Sequence, residues 1–227
     1  MKFALSIIAL ILAALIIPFF ITGPGVQDGG DPNVDLPWQI SLDSAGHSSV
    51  FGLKPGVSKL SEVKARFGGE MELAIIAEPD EVGALEGYYP QVALGFVLAK
   101  VIATVDVPKE AISEMRERAL KAKHMESMTR KITLHPDDVL GAEQLVVKAL
   151  SVIPTVNLDE ATIVQRFGQP SERIAVSPTR VHLLYEKFGL DVMVDEGGKE
   201  LFQYVSPNQF ASLRDPLLVE QKSAGKN

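Results

Sequence analysis

The chain has 227 residues, 46% of them hydrophobic and 22% charged, which is enough apolar side chain for a substantial core and argues against general disorder. Its formal net charge of −7 argues against a nucleic-acid partner, which needs a basic face. The absence of cysteine excludes disulfides, thiolate metal sites, a cysteine nucleophile and the lipid-bearing N-terminal cysteine of a bacterial lipoprotein.

Taken in chain order, the first element is FALSIIALILAALIIPFFI, Phe3 to Ile21, an uninterrupted run without a charge. At about 1.5 Å per residue it spans roughly 30 Å, the thickness of bilayer hydrocarbon. A cleaved signal peptide is the alternative, but its apolar region is usually about 7–15 residues. FITGPG also lacks a small-x-small cleavage pattern. Residues 1–22 therefore read as an uncleaved transmembrane signal anchor, with the membrane as partner through residues 3–21. Lys2 precedes the span while Asp28 and Asp31 follow it, which leaves the N-terminus in the cytoplasm and the bulk outside. The location expected is a single pass through a bacterial inner membrane with the bulk in the periplasm. Residues 23–37, rich in Gly, Pro and Asp, read as a flexible tether.

Residues 38–107 read as a first α+β module. WQISL is a candidate strand. GLKPGVSKLSEVKARFGG carries Ser58 as a candidate N-cap and Leu60, Val63 and Phe67 at helical spacing. Strand-like runs follow at 71–77, 84–89, 92–99 and 100–107. VALGFVLA within them is apolar on both faces and calls for a cover on each side. Residues 108–134 read as a connecting segment. Its amphipathic helix runs from Pro108 to about Met128, with a stripe of Ile112, Met115, Ala119 and Ala122. A second module spans 135–209. HPDDVLGAEQLVVKAL (135–150) is predicted helical, Asn157 caps a further helix bearing Ile163 and Phe167, and four strands follow at 173–176, 180–186, 190–195 and 200–205. The last two form a hairpin around Gly197-Gly198, and residues 210–227 read as a tail.

RFGGE (66–70) and RFGQP (166–170) close the two equivalent helices. Phe67 and Phe167 fall on apolar faces. Gly68 and Gly168 fall where a helix takes a left-handed C′ residue, and Pro170 prevents resumption. Arg66 and Arg166 read as solvated last-turn cations, with anion binding as the alternative. The fold class expected is α+β: two tandem modules of short helices packed on antiparallel sheets, preceded by one transmembrane helix.

Chemical motifs are sparse. His47, His124, His135 and His182 lack metal-ligand spacing, and His182 reads as a half-exposed strand residue. No serine sits in a G-x-S-x-G elbow and no glycine-rich loop ends in Lys-Ser or Lys-Thr. Glu70/Glu72 and Asp191/Asp195 fall on strand faces where solvated acids are expected, although a glycosidase pair stays open because separation in space is invisible. No catalytic residue, metal or cofactor is predicted. Tyr88, Tyr89, His182, Leu184, Met193 and Tyr204 are candidate interaction residues, aromatic and Met side chains being typical of interface cores. Packing between the modules or under a helix is the alternative for them.

A short helix ending in FG, then Q-P, a Tyr-bearing strand and the GLDV…GG hairpin resembles the small outer-membrane-assembly lipoprotein family (SmpA/OmlA-like). The fold of that family is shared with the beta-lactamase inhibitor proteins, which contain two such modules in tandem. The similarity is best over Asn157 to Val205 and weaker over Leu53 to Val107, where GG replaces QP. It implies a non-enzymatic protein that docks on envelope machinery or inhibits a partner through sheet and loop surfaces. A transmembrane anchor in place of the lipidation cysteine departs from that family and suits an anchored bacterial envelope protein. The expectation is an interaction or assembly module with an envelope protein partner. The alternatives are a periplasmic hydrolase and a cell-wall or apolar-ligand binding domain.

Overall fold

A computed structural model describes residues 35–125 and 129–224, which belong to one unit, Asn33–Asn227. The expected transmembrane segment and the tether up to residue 34 lie outside the described residues. Among the described residues no helix is long and apolar enough to cross a membrane. The fold is α+β, with five helices and a large antiparallel sheet among the described residues.

A short hairpin, β1 (Ser41–Leu42) and β2 (Ser48–Ser49), leads to α1 (Leu60–Phe67). Leu60 and Val63 are buried on one side of α1, and the Glu62 carboxylate accepts from the Lys59 backbone N–H at 2.6 Å, where Ser58 had been the expected cap. Strands β3 (Glu72–Ala77), β4 (Ala84–Leu94) and β5 (Val97–Val105) follow, then α2 (Lys109–Glu117), β6 (Lys121–His124), β7 (Arg130–Thr133), α3 (Pro136–Ala142) and β8 (Val147–Pro154). The second half repeats the scheme. Asp159, not Asn157, caps α4 (Glu160–Phe167), accepting from the Thr162 N–H at 2.8 Å. Strands β9 (Glu172–Ala175), β10 (Arg180–Tyr185), β11 (Leu190–Asp195) and β12 (Leu201–Val205) come next. The expected tail is mostly a helix, α5 (Ala211–Ala224).

Strands β3 to β12 form one ten-stranded sheet in the order β6-β7-β3-β4-β5-β8-β12-β11-β10-β9, with every pair antiparallel. β8, expected within the second module, is the fourth strand of the first repeat, so the two repeats share a sheet, joined where β8 pairs with β12. The register is palindromic. One row of directly opposed residues reads Glu72, Tyr88, Ile102, Ser151, Gln203, Asp191, Leu184, Glu172. Exchanging the halves carries Ser151 onto Gln203, Ile102 onto Asp191, Tyr88 onto Leu184 and Glu72 onto Glu172, so a pseudo-two-fold axis passes through the Ser151–Gln203 pair. One core runs beneath both halves, from Leu60, Ile75 and Val101 to Ile163, Leu190 and Tyr204.

The aromatic helix ends belong to this core. Phe67 packs on Tyr89 and Phe167 on Tyr185, each with ring centroids 5.6 Å apart. Gly68 (φ 102°, ψ 177°) and Gly168 (φ 84°, ψ −171°) do stop the helices, but with an extended ψ in place of the left-handed helical conformation expected. That region is essentially reserved for glycine. The entry segment lies across the two halves: Phe51 packs against Phe67 and Tyr204, Trp38 against Phe167, and the Tyr204 hydroxyl donates to the Pro37 carbonyl at 2.9 Å.

Three elements differ from expectation. β4 is one strand where two were expected. Its register shifts between Tyr89 and Val92, which absorbs Pro90 and Gln91 as a bulge, and the chain reverses at Gly95-Phe96, where Gly95 has φ 58°. The connecting helix expected to reach Met128 ends at Glu117, because KAKH has only Ala122 as an apolar side chain and buries none of its residues, while its backbone finds a partner in β7. The helix expected over 135–150 ends at Ala142. Its second part is β8, whose backbone pairs with β5 on one side and β12 on the other.

Candidate functional site: the open face of the sheet

Alternation along each strand assigns side chains to two faces. On one face Val101, Val152, Phe202, Leu190, Leu183 and Tyr185 join the main core under α1 and α4. The other face carries the palindromic row. Its β9–β10 end is covered by α5, where Ile174, Val176 and Leu184 pack with Phe210 and Leu217. Arg214 of α5 pairs with Glu172 at 2.5 Å, and the Gln221 amide donates to the Ala175 carbonyl at 3.4 Å, so this helix also shields the sheet edge. Across β4, β5, β8, β12 and the far part of β11, Tyr88, Ile102, Thr104, Ile153, Leu201, Gln203 and Met193 remain half-buried with no helix of the described residues packed on them.

The six candidate interaction residues divide between the faces. Tyr88, His182, Leu184 and Met193 share the open-face side. Leu184 is fully buried beneath α5, so it is a packing residue. Tyr89 and Tyr204 belong to the main core and are not surface residues. The Tyr89 hydroxyl donates to the Gly68 carbonyl and the Tyr185 hydroxyl to the Gly168 carbonyl, both at 3.1 Å. Burial pushes Tyr89 and Tyr185 up to about 12 and raises Tyr204 well above the usual phenol range.

His182 and Asp191 form a pair that sequence spacing did not suggest. Nδ1 of His182 lies 2.7 Å from Oδ2 of Asp191, and the two residues are 6% and 2% exposed. They stand diagonally across β10 and β11, since His182 opposes Met193 and Asp191 opposes Leu184. His182 is thus buried where a half-exposed residue was expected, and Asp191 is buried where a solvated acid was expected. Burial raises the Asp191 carboxyl above its ordinary value, against the lowering pull of His182, and its Oδ1 has no hydrogen-bond partner. A carboxylate that orients an imidazole supplies two of the three members of a hydrolytic triad. The serine that shares this face, Ser151, lies across β12 from Asp191, roughly two strand spacings or 10 Å away. At that separation Ser151 is beyond hydrogen-bond reach of the pair. The palindromic partner of His182 is Glu86, which is only half-buried and whose carboxyl is raised by burial and partly restored by Lys148.

The other acids considered are tied locally. Glu72 is ion-paired with Lys131, and Asp195 accepts from Arg180 and from the Gly197 N–H, both at 3.1 Å. Among the described residues no group of three or more His, Asp or Glu side chains is arranged to hold a metal ion. Two cavities of about 510 and 480 Å³ are solvent-open grooves that charged side chains help to line, among them Glu172, Glu186 and Arg214 in one and Asp159, Arg173 and Asp195 in the other. No protein-family model, curated protein or solved structure matches this chain.

Proposed function

We propose that the chain is a non-catalytic interaction or assembly module, anchored in a bacterial inner membrane by residues 3–21, that binds an envelope protein through the open face of its sheet. The observation that carries this reading is the uncovered stretch from Tyr88 through Ile102, Ser151 and Gln203 to Met193. It is a surface of aromatic, aliphatic, Met and uncharged polar side chains bordered on the same face by the exposed Lys100 and the half-buried Glu86, the composition of a protein-binding patch with a charged rim. The resemblance to envelope lipoproteins and inhibitor proteins, which act through sheet and loop surfaces, points the same way. The separation of Ser151 from the His182–Asp191 pair favours binding over hydrolysis.

The test is site-specific photocrosslinking in intact envelopes. A crosslinker at Ile102 or Met193 is expected to capture one discrete partner, whereas the same group at Glu110, exposed on α2, captures none. Equal capture from both sites, or none from either, would count against the open face as the binding surface.

A further inference from the structure

We infer that the β4–β5 turn and its neighbours form a second contact surface, one that rests on the lipid headgroup region of the membrane carrying the anchor. This inference relies on the proposed anchoring by residues 3–21 but not on the open-face partner. Phe96 at the tip of the turn is 57% exposed, Leu98 at the start of β5 is 43% exposed, and Val156 just past β8 is 50% exposed. They form one patch. The Thr155 N–H donates to the Leu98 carbonyl at 2.8 Å, and the Phe96 ring lies 5.9 Å from Trp38. Cations border it: the Arg166 guanidinium stacks 4.9 Å over Trp38, and Lys199 donates to the Thr155 carbonyl at 2.9 Å.

Aromatic rings with aliphatic neighbours and basic side chains make up a shallow interfacial lipid contact. Trp and Phe occupy the headgroup level, and Lys or Arg beside them is attracted to anionic headgroups. The occupant is specified by the chain itself. Trp38 lies within roughly 60 Å of Ile21 even at full covalent extension, so a bilayer holding residues 3–21 is always present at high effective concentration. A patch too small to bind vesicles unaided is sufficient under those conditions. The contact would also turn the sheet so that the β4–β5 end of its strands faces the lipid.

The chain contains one tryptophan, so Trp38 reports on this patch directly. The full chain is reconstituted into vesicles of phosphatidylglycerol and phosphatidylethanolamine, with and without lipid brominated near the headgroup, and separated by flotation. The expected result is co-flotation with loss of Trp38 emission in brominated vesicles. In the F96D/L98D double variant, checked for an unchanged circular dichroism spectrum, emission is expected to be the same with and without bromine while flotation persists. Flotation without quenching of the parent overturns the patch and leaves the anchor standing. Quenching that survives in F96D/L98D overturns it too, since the anchor alone then brings Trp38 to the lipid. Failure to float overturns both.

Discussion

Arg66 and Arg166 stand before equivalent phenylalanines and hold the entry segment by different means. Arg66 pairs with Asp35 at 2.6 Å and donates to the Phe51 carbonyl at 3.0 Å, whereas Arg166 stacks on Trp38. Arg66 is half-buried in this clamp where a solvated cation was expected, whereas Arg166 stays exposed as expected while it stacks. The glycines after them invite a direct test. A Cβ at Gly168 would meet no atom within 4 Å, so any cost of Gly168→Ala is a backbone cost. A loss of about 1–3 kcal/mol is expected in urea unfolding with unchanged m, and an equally stable variant would refute the φ argument. The tyrosines supply a pH test. A phenol whose folded pKa is raised keeps its stabilising contribution below the unfolded value of about 10 and loses it as pH rises through the folded value. With Tyr89 and Tyr185 at about 12 and Tyr204 also raised by burial, stability should fall between pH 10 and 12, and absorbance titration should show these three phenols ionising late. Normal ionisation of all of them near pH 10 in the folded protein would contradict the burial. Alternation along GYYP sets Tyr88 and Tyr89 on opposite faces, so the two could not both join one interaction surface as expected. It could not say which face is covered, because the cover for β4 comes from α1 and the entry segment, far away in the chain.

At the scale of elements, the sequence was clearest where one periodicity ran unopposed. LDVMVD is β11 residue for residue, and both RFG helices end where their glycines stand. It was least clear where a helix-compatible run passes into a strand. AEQLVVKAL has good helix formers, yet β5 and β12 together leave Val147–Pro154 an interior strand, and pairing on two sides outweighs local propensity. The function of the last residues was hidden for a similar reason. α5 has little to recommend it as an isolated helix, and it gains its place by covering Ile174 and Leu184. Truncation after Gln209 should therefore expose both, lowering the melting temperature and raising binding of a hydrophobic dye. A truncated protein that melts with the parent and stays dye-free would show the cover to be dispensable. At the opposite edge the shielding is intrinsic: β6 presents Lys121 and Lys123, charges that oppose pairing with another chain.

For the molecule as a whole, the decisive contact is β8 against β12. It merges two repeats into one sheet over one core, and the entry segment spans both halves on the core side. Unfolding is expected to be a single transition, with Trp38 fluorescence and far-UV circular dichroism coinciding, and a fragment beginning at Thr155 should not fold, having lost β8 and half its core. Two separated transitions, or a folded fragment, would show the halves to be autonomous. The palindromic register has a further consequence. A sheet that looks the same after half a turn offers an elongated ligand the same backbone grid in two opposed directions. Only departures from the repeat distinguish head from tail: Ile102 against Asp191, Glu86 against His182, Tyr88 against Leu184 with its overlying helix. Polarity on this face is written in a few side chains, one added helix and the strands β6 and β7, which extend the sheet beyond β3 with no counterpart beyond β9.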